Sequence, residues 1–191
     1  MRSLLTEFPV RRARPVAAGD GGRLGARRVG LLATVLAAVS LLVCVQLASA
    51  SAERPLKADL VGVFAFGACP AEAPAGALCL HDVVSGRMSH LGRVTGEFDV
   101  VIDAARTGAD NCAPISKRGS FFAANGDRLD VFAEGTFCFA TAIAEYTYAF
   151  GGGSGRFADA TGTGTWTVPA PSTFDGVAGE GDEFLKGTLA Y

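Results

Sequence analysis

The chain has 191 residues, of which 49% are hydrophobic, with seventeen Lys and Arg against nineteen Asp and Glu. These averages join two unlike parts: residues 1–52 carry seven arginines and two acids, while the remaining 139 residues carry ten basic side chains against seventeen acidic ones. That acidic surface repels polyanions, so nucleic acid and anionic lipid headgroups are excluded as expected partners, and the length supports one domain with a real core but not two.

At the start, Arg2, Arg11, Arg12, Arg14, Arg23, Arg27 and Arg28 precede an uncharged apolar run over 29–47, which ends in Ala48-Ser49-Ala50-Ser51-Ala52. A basic region, an apolar stretch and small residues at A-x-A spacing predict a secretory signal peptide cleaved after Ala50 or Ala52. We therefore expect residues 1–52 to be a leader and 53–191 to be the exported, extracellular domain. The rival reading is a membrane anchor, because the apolar run approaches the ~20 residues that span a bilayer. Its Ala- and Ser-rich end beside a cleavage site argues against that, and no stable span is expected after processing.

Four cysteines follow the leader: Cys69, Cys79, Cys112 and Cys138. An even number in an exported chain predicts disulfides, and four cysteines allow three connectivities. We expect Cys69–Cys79, closing the Pro- and Ala-rich loop between them, together with Cys112–Cys138. Zinc ligation is disfavoured because cysteine pairs two to four residues apart are absent, and no metal or cofactor is expected.

Along the domain the grammar is that of a sheet. Residues 57–66 read as a first strand, 69–79 as a loop carrying Pro70, Pro74 and Gly76, and 78–84 as a second strand that Ser85-Gly86 breaks. From 96 to 103 the alternation is clean, with Phe98, Val100 and Ile102 on one face and Glu97, Asp99 and Asp103 on the other. Residues 104–117 read as a polar loop tied down by Cys112. Two apolar runs, 119–123 and 128–138, flank Ala124-Asn125-Gly126-Asp127, and Asn125-Gly126 predicts a hairpin with a type I′ turn. A strand over 142–150 places Tyr146, Tyr148 and Phe150 on one face. The glycines of 151–155, including Gly153 and Gly155, turn the chain into a Thr- and Gly-rich strand ending at Val168, and a last strand covers 184–191. Seven or eight short strands with regular turn signals predict an all-β antiparallel barrel of about eight strands, with a sandwich as second choice. A chain ending in a strand predicts closure of the last strand on the first, which removes exposed sheet edges.

Three segments in this order, Ser89-His90-Leu91-Gly92-Arg93-Val94-Thr95-Gly96, Ala123-Ala124-Asn125-Gly126-Asp127-Arg128-Leu129 and Gly152-Gly153-Ser154-Gly155-Arg156-Phe157-Ala158-Asp159-Ala160-Thr161-Gly162, carry a likeness. Together they resemble a group of secreted bacterial proteins sharing a Gly-Gly-Thr-Gly-Arg-Phe turn with the barrel of allene oxide cyclases and plant dirigent proteins; Ser154 stands where that turn has Thr. The resemblance implies an eight-stranded antiparallel barrel with a central apolar cavity. The plant relatives cyclise an unstable epoxide or steer radical coupling with polar cavity residues, and those residues match no positions here.

Several constellations are weighed and set aside. Gly153-Ser154-Gly155-Arg156-Phe157-Ala158 fits G-x-G-x-x-A, but the Thr-Gly run after it makes a strand, not the helix a dinucleotide site needs. His81 and Asp82 are adjacent and point to opposite faces of a strand, so they do not form a catalytic pair. His90 lies in a strand connection, where a structural hydrogen bond is expected. Asp99, Asp103, Asp127, Asp130 and Glu134 read as solvated faces or turns, and no buried acid with a raised pKa is expected. Tyr146, Tyr148, Phe150 and Trp166 are the candidates to line a cavity, with plain core packing as the alternative. We expect a binding or structural module that holds at most a small apolar ligand, provided the interior leaves about 300 Å³ or more, the lower bound for small-molecule pockets. The alternative is a lyase or isomerase of the cyclase or dirigent kind, which requires two or more polar or ionisable groups converging inside the barrel beside the aromatics. Phe132, opposite in phase to Leu129 and Val131, marks a surface contact or a bulge.

Overall fold

The structure is a computed structural model that describes residues 52–191, so the leader read over 1–52 falls, apart from its last residue, outside the described part. The described chain forms β1 (Arg54–Phe66), β2 (Leu78–Met88), β3 (Gly92–Ile102), β4 (Cys112–Ala123), β5 (Arg128–Cys138), β6 (Ile143–Gly153), β7 (Thr161–Val168), β8 (Thr173–Phe174) and β9 (Ala178–Leu189). Each strand from β1 to β6 pairs antiparallel with the next, and β9 pairs with both β7 and β1. The closing seam runs from Arg54↔Leu189 to Ala65↔Ala178. Eight strands thus make a closed barrel, and the short β8 flanks β9 at Glu180 and Gly179, beyond the four-residue reach of β7.

Alternation decides what fills the interior. On β3, Val94, Phe98, Val100 and Ile102 are buried while Thr95, Glu97 and Asp99 face solvent; on β6, Ala144, Tyr146, Tyr148 and Phe150 are buried. The deepest packing joins Phe98, Phe121 and Trp166, with ring centroids 5.0–5.6 Å apart. Both disulfides have the expected connectivity: Cys69–Cys79 ties the loop after β1 to β2, and Cys112–Cys138 bridges two directly paired positions of β4 and β5.

Four local readings need correction. Ser85-Gly86 does not end β2. Gly86 pairs with Leu60, and a Cβ there would lie 2.3 Å from the Asp59 carbonyl oxygen, so this glycine marks a close approach of two backbones. Residues 112–117 are strand rather than loop; the Pro114 carbonyl accepts from the Asp103 amide, so its nitrogen also faces β3, just beyond the last ladder pair Ile102↔Ile115, where no donor is needed. The last strand begins at Ala178, because Gly179 and Gly181 take inward positions where the barrel wall is close. The β4–β5 turn has positive φ at Gly126 but not at Asn125, and Gly126 donates to the Ala123 carbonyl, so it is not type I′. Instead the Asn125 side chain accepts from the Asp127 amide and donates to the Asp127 carboxylate.

The three segments that carry the family resemblance meet at one end of the barrel. Arg156 donates to the His90 carbonyl at 2.8 Å and pairs with Asp127 at 3.1 Å, pinning the β6–β7 turn to the β2–β3 and β4–β5 turns. The opposite end, where β1, β3, β5 and β7 finish, is open.

Candidate functional site

At that open end the interior is not filled. Gly62 and Gly181, paired across the β1–β9 seam, and Ala144 on β6 present almost no side chain inward, and a cavity of about 140 Å³ remains. Its walls are mainly apolar, and Pro169, Pro171 and Phe174 from the segment around β8 edge the opening. Phe174 stacks on Phe64 with centroids 6.1 Å apart. The volume falls short of the ~300 Å³ of an ordinary small-molecule pocket and is close to the ~150 Å³ that holds one benzene. The condition set for a small apolar-ligand pocket is therefore not met, and that expectation is dropped; the space is at most that of one six-membered ring.

Three ionisable side chains converge on this cavity: Asp82 from β2, Lys117 from β4 and Glu183 from β9, each 4% exposed or less. The Lys117 ammonium donates to Asp82 Oδ2 and to both oxygens of Glu183, at 3.0 Å (Oε1) and 2.8 Å (Oε2). Trp166 Nε1 donates to Glu183 Oε2 at 2.8 Å, and the ammonium lies 4.1 Å from the Trp166 ring centroid and 5.0 Å from that of Phe98. Both carboxylates and one ammonium in an apolar wall make a group with one negative charge too many, which a low-dielectric site resists. Burial, reinforced by the Asp82 charge and opposed by Lys117, pushes the Glu183 carboxyl up to about 7. Asp82 Oδ1 is buried without a partner, and it and Glu183 Oε1 both flank Gly62, so a proton held on Glu183 supplies Asp82 with the donor it lacks.

The expectation that no acid is buried with a raised pKa is thus overturned. Asp82 follows the outward His81, which approaches the exposed Asp99 at 3.5 Å, while Asp82 itself turns inward. The cluster was missed because its members lie 35 and 66 residues apart. The signal available was parity: Asp82 sits between Leu80 and Val84, Lys117 between Ile115 and Gly119, and Glu183 between Gly181 and Leu185, each a charge at an inward-facing position.

The four aromatic candidates separate. Tyr146 lines the cavity; its hydroxyl makes no hydrogen bond to another protein group among the described residues, and burial with the nearby Glu183 and Asp82 charges raises its pKa well above the ordinary phenol value. Trp166 anchors Glu183 from behind. Tyr148 and Phe150 pack against each other at 4.9 Å in the core, away from the cavity walls. The Tyr148 hydroxyl is buried without a partner, pressed toward Gly164 and Gly187, and burial pushes its pKa to about 12. His90 is structural, its Nε2 3.0 Å from the Pro55 carbonyl oxygen. Asp130 holds Ser120 and Arg128 on the outer face. Phe132 lies outside the barrel in regular alternation, with the Arg118 guanidinium 5.1 Å from its ring; the bulge of this sheet lies between Leu129 and Val131 in their pairing with β6.

No family model matches the chain, and no curated protein matches its sequence. Among solved structures, the chain is similar to a pterocarpan synthase dirigent protein, with 14% identity over 73% of this chain and 86% of that one and a TM-score of 0.43.

Proposed function

We propose that the barrel is an acid–base catalyst of the isomerase or lyase class, acting on one small, uncharged, ring-sized molecule in its open-ended cavity. The observation that carries this reading is the convergence of Asp82, Lys117 and Glu183 on an otherwise apolar cavity wall. A carboxyl pushed up to about 7 exchanges protons readily near neutral pH, which is the property a general acid or base requires. Lys117 and Trp166 hold that carboxylate in place, so little reorganisation accompanies the proton transfer.

The matching chemistry is a proton shift beside a carbonyl. The Glu183 carboxylate takes a proton from the carbon between a carbonyl and an isolated double bond, the C–H electron pair becomes a new C=C, and the carbonyl electrons move onto oxygen. The same proton then returns to the far carbon of the old double bond as the C=O re-forms. A six-membered β,γ-unsaturated cyclic ketone tests this directly, because its conjugated product absorbs in the ultraviolet. The domain should accelerate the conversion and Glu183→Gln should abolish the acceleration. Binding of the ring without any acceleration would leave a binding module, the second reading, which the apolar walls favour.

A further inference from the structure

Resting on that reading, we propose that the Tyr146 hydroxyl is the specificity-determining donor of the cavity, gripping the acceptor oxygen of a neutral carbonyl compound and so selecting ketones over both hydrocarbons and carboxylates. Tyr146 stands on β6 opposite Trp166 on β7 and projects into the same cavity as the ionisable cluster. The other hydrogen-bond donors of the site are committed. Lys117 uses its ammonium on two carboxylates, and Trp166 Nε1 is bound to Glu183. Tyr146 makes no such bond to protein among the described residues, while its residue is only 5% exposed. A hydroxyl that has no protein partner and is reachable from the cavity is free to exchange water for a ligand oxygen there.

The sense of the missing bond follows from the neighbours. With two carboxyl groups close by, a phenolate is disfavoured, so the group keeps its proton and donates. The same carboxyl groups repel an anionic ligand, and the single ammonium is already engaged, so a carboxylate finds no counter-charge. A neutral carbonyl oxygen fits. It also gains during the proposed reaction, because negative charge gathers on that oxygen as Glu183 removes the proton from carbon, and a donor already aimed at it stabilises that charge.

The experiment compares three probes of one ring size, cyclohexanone, cyclohexane and cyclohexanecarboxylate, by ligand-observed NMR titration of the wild-type domain and of Tyr146→Phe. The expected result is that the wild type binds cyclohexanone more tightly than cyclohexane and does not take the carboxylate. In Tyr146→Phe the ketone weakens about tenfold while the hydrocarbon is unchanged, a pattern that general loosening of the core does not produce. Equal ketone affinity in wild type and Tyr146→Phe, with both neutral rings still bound, overturns the donor role and leaves the cavity reading standing. Failure of the wild type to bind either neutral ring overturns the cavity reading and this inference with it.

Discussion

Gly62 on β1 lies directly beneath the Glu183 carboxylate: a Cβ placed there would stand 2.6 Å from Glu183 Oε1 and 3.0 Å from Asp82 Oδ1. The glycine is therefore part of the site although it carries no chemistry, since any side chain would push the two acids off Lys117. Gly62→Ala is expected to destabilise the barrel by about 1–3 kcal/mol and to abolish the ketone isomerisation. Denaturant titration and the isomerisation assay check it; a variant of wild-type stability and activity would mean that the carboxylates move aside freely.

Glu183 also sets a pH dependence. The unfolded carboxyl releases its proton near 4.5 and the folded one near 7, so between these values the folded state holds more protons and the barrel loses stability as pH rises. The loss is about 3 kcal/mol over that window. Glu183→Gln keeps an oxygen for Trp166 and should lack this slope. Urea midpoints of both proteins from pH 4.5 to 8 test it, and parallel curves would rule out Glu183 as the group responsible.

Removing the cation steepens the same pH dependence. Lys117→Met preserves the length of the side chain but leaves two buried acids without a counter-charge, which costs about 3–5 kcal/mol at neutral pH. Stability should recover toward wild type as the solution is acidified and Glu183 takes up its proton. A deficit that is constant across pH would point to lost packing against Trp166 and Phe98 instead.

Tyr148 offers a stabilising change. Its buried hydroxyl has no partner, so Tyr148→Phe removes a desolvated polar atom without opening space, and the variant should match or exceed wild type by up to about 1 kcal/mol. Calorimetric melting decides this. A loss above that magnitude would reveal a hydrogen bond that the static structure does not contain.

The barrel itself was legible because its information is local. Alternation through Phe98, Val100 and Ile102, the Asn125-Gly126 turn and the glycines after Phe150 each announce strand or reversal within a few residues. In two strands the failure falls at glycines. Gly86 reads as a break in β2 and the last strand reads as starting only at Phe184, whereas Gly86, Gly179 and Gly181 serve close backbone approach and cavity space inside continuous strands. The ionisable cluster was illegible for a different cause: three charges on β2, β4 and β9 become neighbours only when the sheet curls around, and each alone resembles a solvated strand residue. Counting inward parity from Leu80, Ile115 and Leu185 exposes all three.

The seam between β1 and β9 has a kinetic consequence. Its two strands are the first and last of the domain, so most of the chain must be in place before they can meet, and pairing across so long a loop is slow relative to local hairpins. Until it forms, β1 and β9 present open edges, and the sheet is vulnerable to joining another copy. The same event delivers Glu183 to Lys117 and Asp82. Ring closure and assembly of the buried ionisable cluster are thus a single late step, and a chain truncated before Ala178 would retain most of its strands yet have neither.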